Sequence, residues 1–77
     1  MSTTTIAEQI AELRQLVTSG NARRIRIEAG VTQAEIGASI DASPEVICRW
    51  ETGERKARGP KALAYGALLR RLERDLP

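Results

Sequence analysis

The side chains in this sequence that can do chemistry are almost all charged. Histidine is absent, cysteine occurs once, at Cys48, and twelve Lys and Arg residues stand against ten Asp and Glu residues. A histidine general base, a Cys/His zinc site and a disulfide framework are therefore excluded together. No nucleophile has an evident base beside it, so the expectation is a protein that is not an enzyme and uses no metal, cofactor or small-molecule substrate. The formal net charge of +2 is too balanced to identify a partner by itself. Its distribution is more telling. Residues 1 to 20 carry Glu8 and Glu12 against Arg14, one excess negative charge, whereas residues 53 to 61 carry Arg55, Lys56, Arg58 and Lys61 against Glu54, three excess positive charges. The basic charge sits in one loop.

That loop needs a scaffold, and the chain is short. A domain of 77 residues withdraws only about 60% of its unfolded surface from water, so a single domain is expected, and a dimer would add stability. The apolar 42% is mostly Ala, Ile and Leu, and the aromatic 3% is Trp50 and Tyr65 alone. Such a composition suits an all-α core of small helices. No apolar run approaches the roughly 20 residues of a membrane span, and Met1-Ser2-Thr3-Thr4-Thr5 lacks the basic segment and apolar core of a leader. The lone Cys48 suits a reducing compartment, which makes the cytoplasm the expected location.

Apolar periodicity divides the chain into five helices. Ile6, Ile10, Leu13, Leu16 and Val17 recur at steps of three and four, predicting an amphipathic helix that Ser19-Gly20-Asn21 interrupts. Ala22, Ile25 and Ala29 share the buried face of a second helix closed by Gly30. Thr32 and Glu35 form a capping box, with Val31 and Ile36 as its hydrophobic staple, for a helix from Gln33 to Ile40. Asp41-Ala42-Ser43-Pro44 reads as a tight turn, with Asp41 tolerating the left-handed region and Pro44 opening a fourth helix. That helix buries Val46, Ile47 and Trp50, exposes Glu45, Cys48 and Arg49, and ends at Gly53. Pro60 opens the last helix, over 60–76, with Leu63, Ala64, Ala67, Leu68, Leu72 and Leu76 at helical spacing and Gly66 marking close packing. Segment 1–20 is then an additional N-terminal helix beside a 32–53 unit of helix, turn and helix.

Two short helices joined by a turn, the second followed by a basic loop, have the layout of a helix-turn-helix. Arg26, Gly30-Val31-Thr32-Gln33, Glu35-Ile36-Gly37, Ser43, Ile47 and Trp50-Glu51-Thr52-Gly53-Glu54-Arg55, with Pro60 beyond, follow one another along the chain. In that order they resemble the Cro/repressor type of helix-turn-helix, the Xre-like family of bacterial and phage regulators. The resemblance implies a lambda repressor-like DNA-binding fold. It places the first two residues of the recognition helix and one two-thirds along it, here Pro44, Glu45 and Arg49, on base edges in the major groove. It gives Gln33 a DNA phosphate and pairs Arg26 with Glu51. Ser43 and Thr52, at the ends of the recognition helix, and Arg55, Lys56 and Arg58 just past it, are the further expected backbone contacts.

Several of these residues carry a second, structural reading. An acid at the start of a helix, such as Glu45, is favoured by the helix dipole alone. Gln33 is a good helix former, Thr52 belongs to a helix end, and the basic loop also reads as a solvated turn. Cys48 is a small residue on the recognition helix, Trp50 and Ile47 are core, and Tyr65 is either core edge or dimer contact. The expectation is a sequence-specific regulator of double-stranded DNA, a homodimer in a bacterial cytoplasm that represses by covering promoter DNA, as in a phage or prophage switch. Residues 5 to 18 and the last helix offer apolar positions for the dimer. The alternative is an antitoxin-type module that binds DNA and a protein partner.

Overall fold

The computed structural model describes residues 4–77; the Met1-Ser2-Thr3 end of segment 1–20 lies outside them. The described residues form five helices and no strand: α1 (Ile6–Thr18), α2 (Asn21–Glu28), α3 (Gln33–Ile40), α4 (Pro44–Thr52) and α5 (Gly59–Arg74). Among them, no helix is long and apolar enough to cross a membrane.

Local chemistry sets the helix ends. Thr32 Oγ1 accepts from the Glu35 N–H at 3.0 Å, and Glu35 Oε1 accepts from the Thr32 N–H at 2.9 Å. Thr5 and Glu8 form the same reciprocal pair at the start of α1. Hydrogen bonds from Thr5 and Thr32 hold the Glu8 and Glu35 carboxyls below their ordinary pKa. Both caps are therefore in place above the ordinary carboxylate pKa and weaken as pH falls through the lowered values. Ser43 caps α4 by accepting from the Val46 N–H at 3.2 Å, and Pro44 occupies the first turn, where its missing N–H costs nothing.

The turn between α3 and α4 depends on two residues. Asp41 closes α3 in the left-handed region, at φ 59° and ψ 50°, a conformation Asp reaches more easily than most residues. The Ala42 N–H then donates to the Gly37 carbonyl at 2.8 Å. A Cβ at Gly37 would stand 2.3 Å from the Ala42 oxygen. Only a residue without a side chain lets α3 and the turn approach this closely.

The core draws on all five helices: Leu13, Ala22, Ile25, Ile36, Ile47, Trp50, Ala62, Tyr65 and Leu69, with Ala57 from the loop. The face of α5 differs from the expected one. Ala62, Tyr65, Gly66 and Leu69 form its buried line, Leu63, Ala67, Leu68 and Leu72 lie half-buried on the flanks, and Ala64 is exposed. The helix ends at Arg74, so Leu76 lies past it. The small Ala62 and Gly66 occupy the centre because other helices pack against α5 there, and the leucines spread to either side. Along α1, Leu13 is buried, but Ile6 in the first turn is 66% exposed. Val46 and Ala29, expected inside, are half-buried.

Tyr65 is fully buried, a core residue and not a dimer contact. Its ring packs on Trp50 at a centroid distance of 5.2 Å and an interplanar angle of 42°. Its hydroxyl is buried without a hydrogen-bond partner among the described residues. An unsatisfied buried hydroxyl costs about 1–3 kcal/mol. Tyr65→Phe is therefore expected to raise the melting temperature, with a gain of about 1 kcal/mol; a drop would mean that the hydroxyl is hydrogen-bonded in solution. Burial also pushes the phenol pKa up. The folded state thus favours the protonated form, so stability holds below the unfolded value near 10 and declines as pH climbs from there toward the raised folded value. The chain has one tyrosine, so Tyr65→Phe should abolish that part of the alkaline decline.

Candidate functional site

Helix α4 organises the site. At about 100° per residue, its side chains fall into four rows. Pro44, Cys48 and Thr52 form one, Glu45 and Arg49 the next, then Val46 and Trp50, and last Ile47 and Glu51. The first two rows are exposed throughout, whereas Ile47, Trp50 and Glu51 are buried. The helix thus presents two adjoining rows to solvent and is anchored by the other two. Glu45 and Arg49, one turn apart, form no ion pair with each other, and Arg49 has none with any described residue. A free guanidinium is available to a planar acceptor pair and a free carboxylate to an amino donor.

On the side of Glu51 lies a polar network. Arg26 donates from Nε and Nη2 to the two carboxylate oxygens of Glu51, the second bond 3.1 Å long, and from Nη1 to the Val31 carbonyl at 3.0 Å. The side chains are 12% and 1% exposed. Hydrogen bonds to Glu51 are the main cause that holds the Arg26 guanidinium above its ordinary pKa. Gln33, half-buried at the start of α3, donates from Nε2 to Glu51 Oε1 at 3.1 Å. Residues 26, 33 and 51 therefore meet at one point, tying α2, α3 and α4 together. The Gln33–Glu51 contact was not legible in spacing, because 18 residues and a turn separate the two.

On the side of Val46 and Trp50 lies a basic cleft. It encloses about 510 Å³ and is lined by Asp41, Ala42 and Ser43 of the turn, Val46 and Trp50 of α4, Arg55, Lys56 and Arg58 of the loop, and Lys61 of α5. The loop is folded against the end of α4, since the Arg55 N–H donates to the Arg49 carbonyl at 3.2 Å. Thr52 Oγ1 donates to that same carbonyl at 3.2 Å and accepts from the Glu54 N–H at 3.4 Å. Thr52 and Ser43 thus both cap helix ends while remaining exposed. A second cleft of about 230 Å³ adjoins the first, sharing Trp50, Arg55 and Lys56, and adds Leu13, Arg14, Val17 and Thr18 of α1 and Ala57. Arg14, Arg55, Lys56, Arg58 and Lys61 take part in no ion pair with the described residues.

The structure thus gathers Ser43, Arg55, Lys56 and Arg58 on one side of the exposed rows and Arg26, Gln33 and Glu51 on the other. Lys61 and Arg14 are the cations at this site that sequence reasoning did not single out. Lys61 follows Pro60 in the first turn of α5, so its nearness to the loop was a visible signal. Arg14 arrives through the packing of α1, for which the sequence carries no local mark. No family model, curated protein or solved structure matches the chain.

Proposed function

We propose that the chain is a sequence-specific double-stranded DNA-binding regulator, with α3, the turn and α4 acting as a helix-turn-helix of the Cro/repressor type. The observation that carries this reading is the two-sided layout of α4. Its exposed rows are bordered on one flank by a cleft of unpaired cations and on the other by the start of α3, the arrangement a helix needs to lie in a groove between two phosphate strands.

In this reading Arg49 donates to guanine O6 and N7, Glu45 accepts from cytosine N4, and Pro44 offers apolar contact to a thymine methyl. Gln33 has one amide N–H committed to Glu51 and offers the other to a phosphate. Ser43, Thr52, Arg55, Lys56 and Arg58 contact the backbone, and Arg26 with Glu51 keeps the helices in register. Two copies bind a two-fold site in the bacterial cytoplasm, joined through α1 and α5, and repress by covering promoter DNA, as in a phage or prophage switch. The exposure of Ile6 supports α1 as part of that surface. The role requires no chemistry and no cofactor.

Arg49→Ala is expected to cost about 1–3 kcal/mol on the preferred duplex and much less on random duplex. Equal losses on both would make Arg49 a phosphate contact. Lys56→Ala is expected to weaken binding to all sequences alike and to make the dependence of log K on log salt shallower by about 0.9. Titrations of labelled duplex at several salt concentrations measure both effects.

A further inference from the structure

The α1 helix lies outside the helix-turn-helix, yet it delivers a cation to the cleft beside α4. The two adjoining clefts share Trp50, Arg55 and Lys56. Their combined lining holds five cations, Arg14, Arg55, Lys56, Arg58 and Lys61, and one acid, Asp41. That is an excess of four positive charges in a chain whose net charge is +2, so all other residues together carry two excess negative charges. The cations come from three separate segments: α1, the loop and the first turn of α5. Four of them are close neighbours in sequence, within residues 55–61, and the fold brings Arg14 to them from far along the chain. Each is free of ion pairs with the described residues, as are Arg23, Arg49, Arg71 and Arg74, whereas Arg24 and Arg70 are paired at the surface and Arg26 is paired with the buried Glu51. Like charges brought together without counter-ions repel one another, and a polyanion relieves that repulsion.

We infer that Arg14 and Lys61 extend the DNA contact, forming with Arg58, Lys56 and Arg55 one continuous band that carries the phosphates of a single strand. This inference rests on the proposed function and enlarges it. The N-terminal helix becomes part of the DNA-binding surface, and the footprint reaches past the helix-turn-helix on the Val46 and Trp50 side of α4.

The test is the salt dependence of binding to a random-sequence duplex, for the full chain and for Arg14→Ala, Lys61→Ala, the double variant and Arg71→Ala. Arg71 is an exposed cation on α5 outside both clefts. Each neutralised phosphate contributes about 0.9 to the slope of log K against log salt. The expected result is a slope shallower by about 0.9 for each single variant and by about 1.8 for the double, an unchanged slope for Arg71→Ala, and near-wild-type behaviour for Arg14→Lys. Melting curves confirm that each variant is folded. Unchanged slopes for Arg14→Ala and Lys61→Ala, with Lys56→Ala still shallower, would overturn the inference and leave the regulator reading standing. An equal loss in Arg71→Ala would also overturn it, since the effect would then follow net charge. If wild type showed no salt-dependent binding to duplex DNA, the proposed function would fall, and the inference with it.

Discussion

Glu51→Ala is expected to destabilise the domain by about 3–5 kcal/mol, the cost of removing one partner of a buried ion pair. The carboxylate accepts from Arg26 at both oxygens and from Gln33 at Oε1, with its side chain only 1% exposed. Its removal leaves the Arg26 guanidinium, itself 12% exposed, with the Val31 carbonyl as its remaining partner. Total stability for a chain of this length is about 4–12 kcal/mol, so the loss removes a large share of it and the variant should melt far below wild type. The stranded charge causes the loss, and the loss of the attraction itself matters less. Replacing both partners with apolar residues, as in Arg26→Met with Glu51→Leu, should therefore be far milder than Glu51→Ala. Urea unfolding of wild type, the single variant and the double variant measures this directly. A single-variant loss below about 1 kcal/mol would place the pair in the class of solvent-screened surface bridges.

The second large effect concerns two glycines with opposite outcomes. Within a helix, Gly to Ala ordinarily gains about 1 kcal/mol. Gly66→Ala should show that gain, because its new Cβ would sit 3.7 Å from Leu13 Cβ and 3.9 Å from Leu13 Cδ1, ordinary van der Waals contact. Gly37→Ala should lose stability instead, because its Cβ would stand 2.3 Å from the Ala42 backbone oxygen. Neither the backbone of the turn nor that of α3 moves easily, and overpacking of this kind costs about 1–3 kcal/mol. The turn must shift, and α4 with it, so under the proposed function DNA affinity should fall even where the variant remains folded. Thermal unfolding of the two variants side by side separates the cases. A stabilised Gly37→Ala would show that the turn is pliable and that Gly37 does not set the angle between α3 and α4.

Much of the fold was legible because local chemistry determined it. The Thr32 and Glu35 capping box, Ser43 before Pro44, and the glycines at 20 and 53 place helix ends where the structure has them. The periodicity of α5 was less informative. Its leucines are strong apolar signals, yet Ala62 and Gly66, small enough for a close neighbour, hold the centre of the buried face beside Tyr65 and Leu69. A hydrophobicity pattern weights large residues, whereas close helix contact selects small ones. Similarly, Ile6 fits the stripe of α1 but lies beyond the core that would cover it. At the candidate site, the exposure of Pro44, Glu45 and Arg49 follows from helical phase. The meeting of Gln33 with Glu51 and the arrival of Arg14 in a cleft that Lys56 also lines depend on tertiary packing, which no spacing rule encodes.

The central claim is that α4 reads base sequence. Its most direct test is selection of bound sequences from a random duplex pool with the purified protein at physiological salt. The account predicts enrichment of a two-fold motif with G·C pairs at the positions that Arg49 and Glu45 reach, and loss of preference at the Arg49 position in Arg49→Ala. A pool that returns without enrichment, although the protein still binds duplex in low salt, would contradict sequence reading by α4 and leave only a non-specific affinity for phosphates.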